Sequence, residues 1–223
     1  AYHNFHAASS ILINYFKNKH NYETHAFFNN SMLSAALKFN LINKIKWELG
    51  NLLSLKNFGL YRSFGVKKIF KPLINQDIIY SSNLYFKNNF PRLNTKEKIL
   101  NLKIKNITIG DLLYDTYLKS RIVPTIKIKS KDFELFFIDF IRLFFFWDNY
   151  FKTNNIHSVT TCDCVYSYAI ILRIAEKKKI PCYVLSTSYL AKFKSSHFGG
   201  SRFGDYKNYK RDFKRLNKKQ RNV

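Results

Sequence analysis

The run IHSVTTCDCVYSYAIILRIAEKKKIPCYVLSTS, Ile156 to Ser188, reads as strand, short loop, helix, strand. Ile156–Thr161 is β-prone, and Cys162–Val165 turns the chain. Tyr166–Lys179 has helical character: Val165, Tyr168, Ala169, Leu172 and Ala175 line one face, and Ile170, Ile171 and Ile174 make the other nearly as apolar. Such a helix is buried. Basic residues close it, as the helix dipole favours. Pro181 then leads into an apolar strand, Cys182–Leu185. Two strands joined by a helix of this length form a right-handed crossover and run parallel. Ligands of open α/β sheets sit beyond the carboxyl ends of the strands. Thr161–Cys164 and Ser186–Tyr189 are therefore the candidate walls of a site.

Upstream, Lys131–Asn154 is the most apolar helix, with Phe133, Phe137, Phe140, Phe144 and Phe151 on a broad core stripe. Asp132, Glu134, Asp139, Arg142 and Asp148 interrupt it, so it is not a membrane span. Before it, Ile107–Arg121 (ITIGDLLYDTYLKSR) predicts a helix beginning at Thr108 or Gly110. Asp111 lies in its first turn, and Lys119 and Arg121 lie at its end. Thr95–Asn106 is weakly amphipathic. Asn75–Arg92 reads as turn-like and polar-aromatic. Nearer the start, helical spacing covers Phe5–Asn18 with Asn4 as a cap, and Ser31–Phe58 with a bend or break at Gly50. Tyr22–Phe28 and Val66–Phe70 are strand candidates. The pattern predicts an α/β, helix-rich, Rossmann-like three-layer domain with a parallel sheet. Residues 1–190 would form it, its first strand preceding the chain. Residues 191–223 read as a basic linker and helix leading to a further domain.

The formal charge is +24, from 38 basic and 14 acidic residues. Nucleic acid, an anionic membrane surface and a biased Lys/Asn/Ile-rich composition all fit such a balance. The lysines are scattered and no nucleic-acid motif accompanies them, which makes nucleic acid the weakest of the three. Three cysteines at 162, 164 and 182, with no secretory leader, fit free thiols in a reducing compartment. Cys162-Asp163-Cys164 has no second ligand pair at zinc spacing, so no metal is expected. GxGxxG after a strand, Walker A, HExxH and GxSxG are all missing. Simple dinucleotide oxidoreductases, P-loop NTPases, zinc proteases and α/β-hydrolases are thereby excluded, and no cofactor is expected.

Several residues are placed for chemistry. Asp163, in the loop after a parallel strand, suits a general base, and equally a cap on the next helix. His3 and His6 would occupy the first loop on the ligand side if a strand precedes them. Asp111 and Asp115, four apart, share one side of a helix with Tyr114 nearby. Two like charges there call for a cation or sugar hydroxyls between them, or are a cap and a surface residue. Ser186, Thr187 and Ser188 would line the cleft from the second strand end.

Two stretches together resemble a family: Gly110, Asp111, Tyr114, Asp115 and Tyr117 with Lys119 nearby, and Tyr166, Arg173, Ile174, Ala175, Ile180 and Pro181. They look like the N-terminal domain of bacterial surface-polysaccharide glycosyltransferases of the GT-B type, the enzymes of capsule and lipopolysaccharide assembly. The family's Ser-His pair is replaced here by Thr161-Cys162-Asp163, leaving Asp163 as its substitute. The resemblance implies transfer of a sugar from a nucleotide sugar, as substrate, to a lipid-linked or glycan acceptor. Asp163, His3 and His6 would be base candidates, and Asp111, Tyr114, Asp115, Tyr166, Arg173 and Ser186–Ser188 would bind substrate. It implies a cytoplasmic location at the inner face of an anionic membrane, and a donor-binding second domain beyond Val223. A non-catalytic basic binding module, for nucleic acid or an assembly partner, and a nucleotide-sugar epimerase of the same plan are the competing readings.

Overall fold

The computed structural model describes residues 3–27, 41–55, 57–72, 74–185 and 190–195. In chain order the elements are α1 (His3–His20), β1 (His25–Phe27), α2 (Leu41–Leu52), α3 (Asn57–Ser63), β2 (Lys68–Phe70), α4 (Gln76–Asn89), α5 (Lys96–Leu100), β3 (Lys103–Ile104), β4 (Ile107–Thr108), α6 (Gly110–Arg121), α7 (Lys131–Thr153), β5 (Val159–Thr161), α8 (Ala169–Lys177), β6 (Cys182–Leu185) and β7 (Leu190–Lys192). Short 3-10 turns cover Phe90–Arg92 and Tyr166–Tyr168.

The centre of the molecule is a helix. α7 buries Phe133, Phe137, Phe140 and Phe144 completely, as the Phe periodicity predicts. Full burial of one such side chain is worth about 1.5–3 kcal/mol, so this row alone is a large share of the driving force. Ser130 caps the helix, its hydroxyl accepting from Phe133 N–H. α4 packs along α7, and α6 and α8 flank it. Asp139 and Asp148 are buried on α7, and Asp148 is satisfied by Lys105 Nζ at 2.5 Å and Lys152 Nζ at 3.2 Å. Lys105 reaches it from the two-residue β3–β4 hairpin turn, where Lys105 and Asn106 both have positive φ. Turns of that kind match the twist of the paired strands.

The fold is α/β and helix-rich, with small sheets. β1 and β2 are parallel, β3 and β4 form an antiparallel hairpin, and the third sheet has the order β5-β6-β7. β5 and β6 pair in parallel through the α8 crossover, Val159 opposite Cys182 and Thr161 opposite Val184. This bears out the strand–helix–strand reading of Ile156–Ser188. The helix there is shorter than expected, because Tyr166–Tyr168 forms a 3-10 turn before α8 begins. α8 is as buried as its two apolar faces require: Ala169, Ile170, Leu172, Ile174 and Ala175 are all 1% exposed or less.

A single parallel sheet between helical layers is not what the described residues form. Their strands are two to four residues long, too short to bury a helix layer on each face, and the apolar mass lies on α7 instead. Asn75–Arg92 is also corrected: it is not turn-like but holds the 14-residue helix α4, capped by Asn75, whose side chain accepts from Ile78 N–H. Asn4 lies inside α1 rather than capping it. Gly50 lies within α2, two residues before its end. β7 crosses position 191 and runs antiparallel to β6, and Phe193 after it is buried. Residues 196–223, and the first part of Ser31–Phe58, lie outside the described residues.

Candidate functional site

Gly110 fixes how α6 begins. A Cβ at this position would stand 1.8 Å from the carbonyl oxygen of Ile99 and 2.6 Å from that of Leu100. Only glycine lets α6 start this close to the end of α5. The next residue, Asp111, then points at α8. Arg173 Nη1 donates to Asp111 Oδ1 at 2.6 Å and to the Thr108 carbonyl at 2.7 Å, and Nη2 donates to Asp111 Oδ2 at 2.5 Å. The guanidinium is only 6% exposed, the carboxylate 38%. Planar bidentate pairs of this kind are the strong charge-assisted hydrogen bonds. Asp111 and Arg173, both expected to bind substrate, therefore bind each other. The pair clasps α6 to α8.

One turn further along α6, the side chains open to solvent. Asp115, Leu118, Lys119, Ile122 and Val123 form one wall of an open depression of about 740 Å³, and Val165 and Tyr166 form the other. Lys119 Nζ lies 4.0 Å from the centre of the Tyr166 ring, a cation–π contact that bridges the walls. Partial desolvation, and next the neighbouring Asp111 carboxylate, hold the Asp115 carboxyl above its ordinary value, against the pull of Lys96 and Arg173. Tyr114 is buried. Its hydroxyl is 3.4 Å from Thr125 Oγ1, and Lys96 Nζ lies 4.9 Å from its ring centre. Two residues of the depression are in the left-handed region without being glycine: Ile122 (φ 54°), which ends α6 and is 92% exposed, and Tyr166 (φ 56°), which starts the 3-10 turn.

The loop after β5 holds Asp163 in local hydrogen bonds. Its Oδ1 accepts from Cys164 N–H at 2.9 Å, and its carbonyl accepts from the Thr161 hydroxyl at 2.6 Å. The side chain caps the turn, the role that a carboxylate in such a loop shares with catalysis. Next to it, Cys162 is exposed. Burial chiefly, and Cys162 as well, push the Tyr61 phenol above its ordinary value, and Ser9 opposes them. The Tyr61 hydroxyl is also 3.0 Å from His6 Nδ1. His6 and Tyr61 thus tie α1 to α3.

Cys164 and Cys182 are buried, and burial drives the Cys182 thiol up to about 12, which makes it inert. Among the described residues no group of three or more His, Cys, Asp or Glu side chains could hold a metal ion. His3 begins α1, but its side chain lies outside what is described, as do Ser186, Thr187 and Ser188.

No family model, no curated protein and no solved structure matches this chain. The structure brings Asp115 and Tyr166 together, and spends Asp111 and Arg173 on each other. Sequence reasoning noted Lys119 only as a basic residue near the motif. Its four-residue step from Asp115 is the signal that puts both on one helix face. Tyr61 was missed, because its partner His6 is 55 positions away and nothing local marks the pair.

Proposed function

We propose that the chain is the acceptor-side part of a GT-B-type glycosyltransferase of surface-polysaccharide assembly, with the Asp115–Lys119–Tyr166 depression as the acceptor site. The observation that supports it is the clasp between Asp111 and Arg173, which packs the two family-like stretches together and leaves Asp115, Lys119 and Tyr166 at their open edge. A carboxylate, an ammonium and an aromatic ring around an open cleft suit a sugar: the ring packs on its apolar face and the charged groups take its hydroxyls.

In the proposed reaction Asp115 accepts the proton of the acceptor hydroxyl. The acceptor oxygen forms a bond to the anomeric carbon of the donor while the bond from that carbon to the phosphate oxygen breaks. The nucleoside diphosphate leaves with the electron pair. A base held above the ordinary carboxylate range takes a hydroxyl proton better than a fully solvated one. Asp163 is a turn cap in this scheme, and His6 supports Tyr61.

The test is a transfer assay on the full-length protein with a panel of nucleotide sugars and glycan acceptors. Lys119→Met and Tyr166→Leu are expected to raise the acceptor KM by about tenfold, the loss of one contact of about 1.4 kcal/mol, and to leave the donor KM unchanged. Asp163→Ala and His6→Ala are expected to retain transfer once folded. Absence of transfer with every donor, or a loss of activity confined to Asp163→Ala and His6→Ala, overturns the proposal.

A further inference from the structure

Glu23, His25 and Tyr150 form a continuous hydrogen-bonded row that joins the start of β1 to the last turn of α7. His25 Nε2 lies 2.8 Å from Glu23 Oε1, and His25 Nδ1 lies 2.7 Å from the Tyr150 hydroxyl. Glu23 and His25 are two apart on extended chain, so their side chains leave it on the same side. Lys67, just before β2, donates to the other carboxylate oxygen, Glu23 Oε2, at 2.8 Å. Phe70 of β2 stacks on the Tyr150 ring, with centres 4.9 Å apart and planes 13° apart, and meets His25 edge-on at 6.3 Å. Each of the three side chains is thus held from two sides.

The polarity of the row is set from its acidic end. Lys67 first, and His25 after it, hold the Glu23 carboxyl below its ordinary value, so it is ionised at neutral pH and can only accept. His25 Nε2 therefore carries a proton. In the neutral imidazole Nδ1 is then the acceptor, and the Tyr150 hydroxyl donates to it. A hydroxyl, a base within hydrogen-bond reach of its proton, and a carboxylate orienting that base are the arrangement that activates a side-chain nucleophile. Burial, and Glu23 after it, push the Tyr150 phenol above its ordinary value, so its proton needs a partner base to leave at neutral pH. The row is open to solvent along one edge: the His25 side chain is 23% exposed and Tyr150 is half-buried. None of these residues lines the Asp115–Lys119–Tyr166 depression. We propose that Tyr150 is a nucleophile that takes an acyl group from an activated ester, with His25 as its general base and Glu23 positioning His25. Tyr150 Oη attacks the ester carbonyl carbon while His25 Nδ1 takes the hydroxyl proton. The bond from that carbon to the ester oxygen then breaks, the alcohol oxygen leaves with the electron pair, and His25 returns the proton to it or to water. The acyl group remains on Tyr150 as a phenyl ester. The hydrogen-bonded row carries this inference; it stands whether or not the chain transfers sugar.

The experiment treats the full chain with p-nitrophenyl acetate at neutral pH, quenches it in acid at intervals, and follows acetylation of each tyrosine by peptide mass spectrometry. Tyr80, 71% exposed, is the internal reference. Tyr150 is expected to be acetylated at least about tenfold faster than Tyr80, although it is the more buried of the two. His25→Phe is expected to slow Tyr150 by about a hundredfold, the lower range for loss of a general base, and to leave Tyr80 unchanged. Glu23→Gln is expected to slow Tyr150 less than His25→Phe does, and Glu23→Asp to recover part of that loss, which a merely structural carboxylate would not bring about. Tyr150 reacting no faster than Tyr80 in the wild type overturns the proposal, and this comparison needs no variant to fold. An unchanged Tyr150 rate in His25→Phe, with far-UV circular dichroism like that of the wild type, overturns it as well.

Discussion

Removing the two halves of the Asp111–Arg173 clasp should have unequal costs. Asp111→Ala leaves a guanidinium that is 6% exposed without either carboxylate bond, while the Thr108 carbonyl remains to accept from it. Breaking a fully buried pair from one side costs about 3–5 kcal/mol. The carboxylate is 38% exposed, so screening by solvent reduces this to about 2–3 kcal/mol. Arg173→Met instead removes the buried cation, fills its stem with a side chain of similar shape, and leaves Asp111 near enough to the surface to hydrate. Its cost is the lost donor to Thr108 and the bidentate bonds, about 1–2 kcal/mol. The double variant should be no worse than Arg173→Met alone, giving a coupling of about 2 kcal/mol. Urea unfolding of the wild type, the two singles and the double, with the slope of the transition unchanged, measures all four. A cost below about 0.5 kcal/mol for Asp111→Ala, or a double-variant cost equal to the sum of the singles, would mean that the two side chains do not stabilise the fold as a pair.

Gly110→Ala should destabilise by about 3 kcal/mol or more, visible as a lowered urea midpoint, because the carbonyls its Cβ meets are backbone and cannot swing aside. Ile122→Gly should stabilise by about 1 kcal/mol in the same assay, since the side chain is 92% exposed and glycine relieves the left-handed backbone at the end of α6. Burial works to raise Asp148, but Lys105 and Lys152 outweigh it and hold the carboxyl below its ordinary value. A depressed carboxylate contributes stability that is present above its unfolded value, about 3.9, and is lost as pH falls through the folded one. Stability should therefore drop below about pH 4, and Asp148→Asn should flatten that limb of the pH–stability curve while lowering stability at neutral pH.

What the sequence conveys best is where apolar residues recur at a fixed step. Phe133, Phe137, Phe140 and Phe144 announce α7, and the apolar faces of Ala169–Ala175 announce α8, because burial is what both elements are for. α4 escapes the same reading. Only Ile78 and Ser82 are buried on it, and its Asn and Ser content resembles that of a turn. The Asn75 cap with Asp77 two residues on was the available signal. The single sheet was over-read, since a strand of two to four residues carries too little pattern to fix which others it joins. At the site, the four-residue steps along α6 place Asp111 and Asp115 on one side of the helix. They do not reveal that Arg173, 62 positions away, claims the first and leaves the second. Asp163 shows the same limit, because the loop position that suits a base also suits a cap, and only the structure shows its Oδ1 accepting from the Cys164 N–H.

In the proposed reaction the proton goes to Asp115. Its carboxyl is held above the ordinary range, so its ionised form opposes folding at neutral pH and that opposition fades as pH falls. Asp115→Asn in the full-length protein, with unfolding and sugar transfer measured on one preparation, is the most direct test. The expected result is stability equal to or above wild type together with a loss of kcat of at least about a hundredfold, the lower range for removing a general base. Retained kcat in a folded Asp115→Asn protein would remove Asp115 as the base.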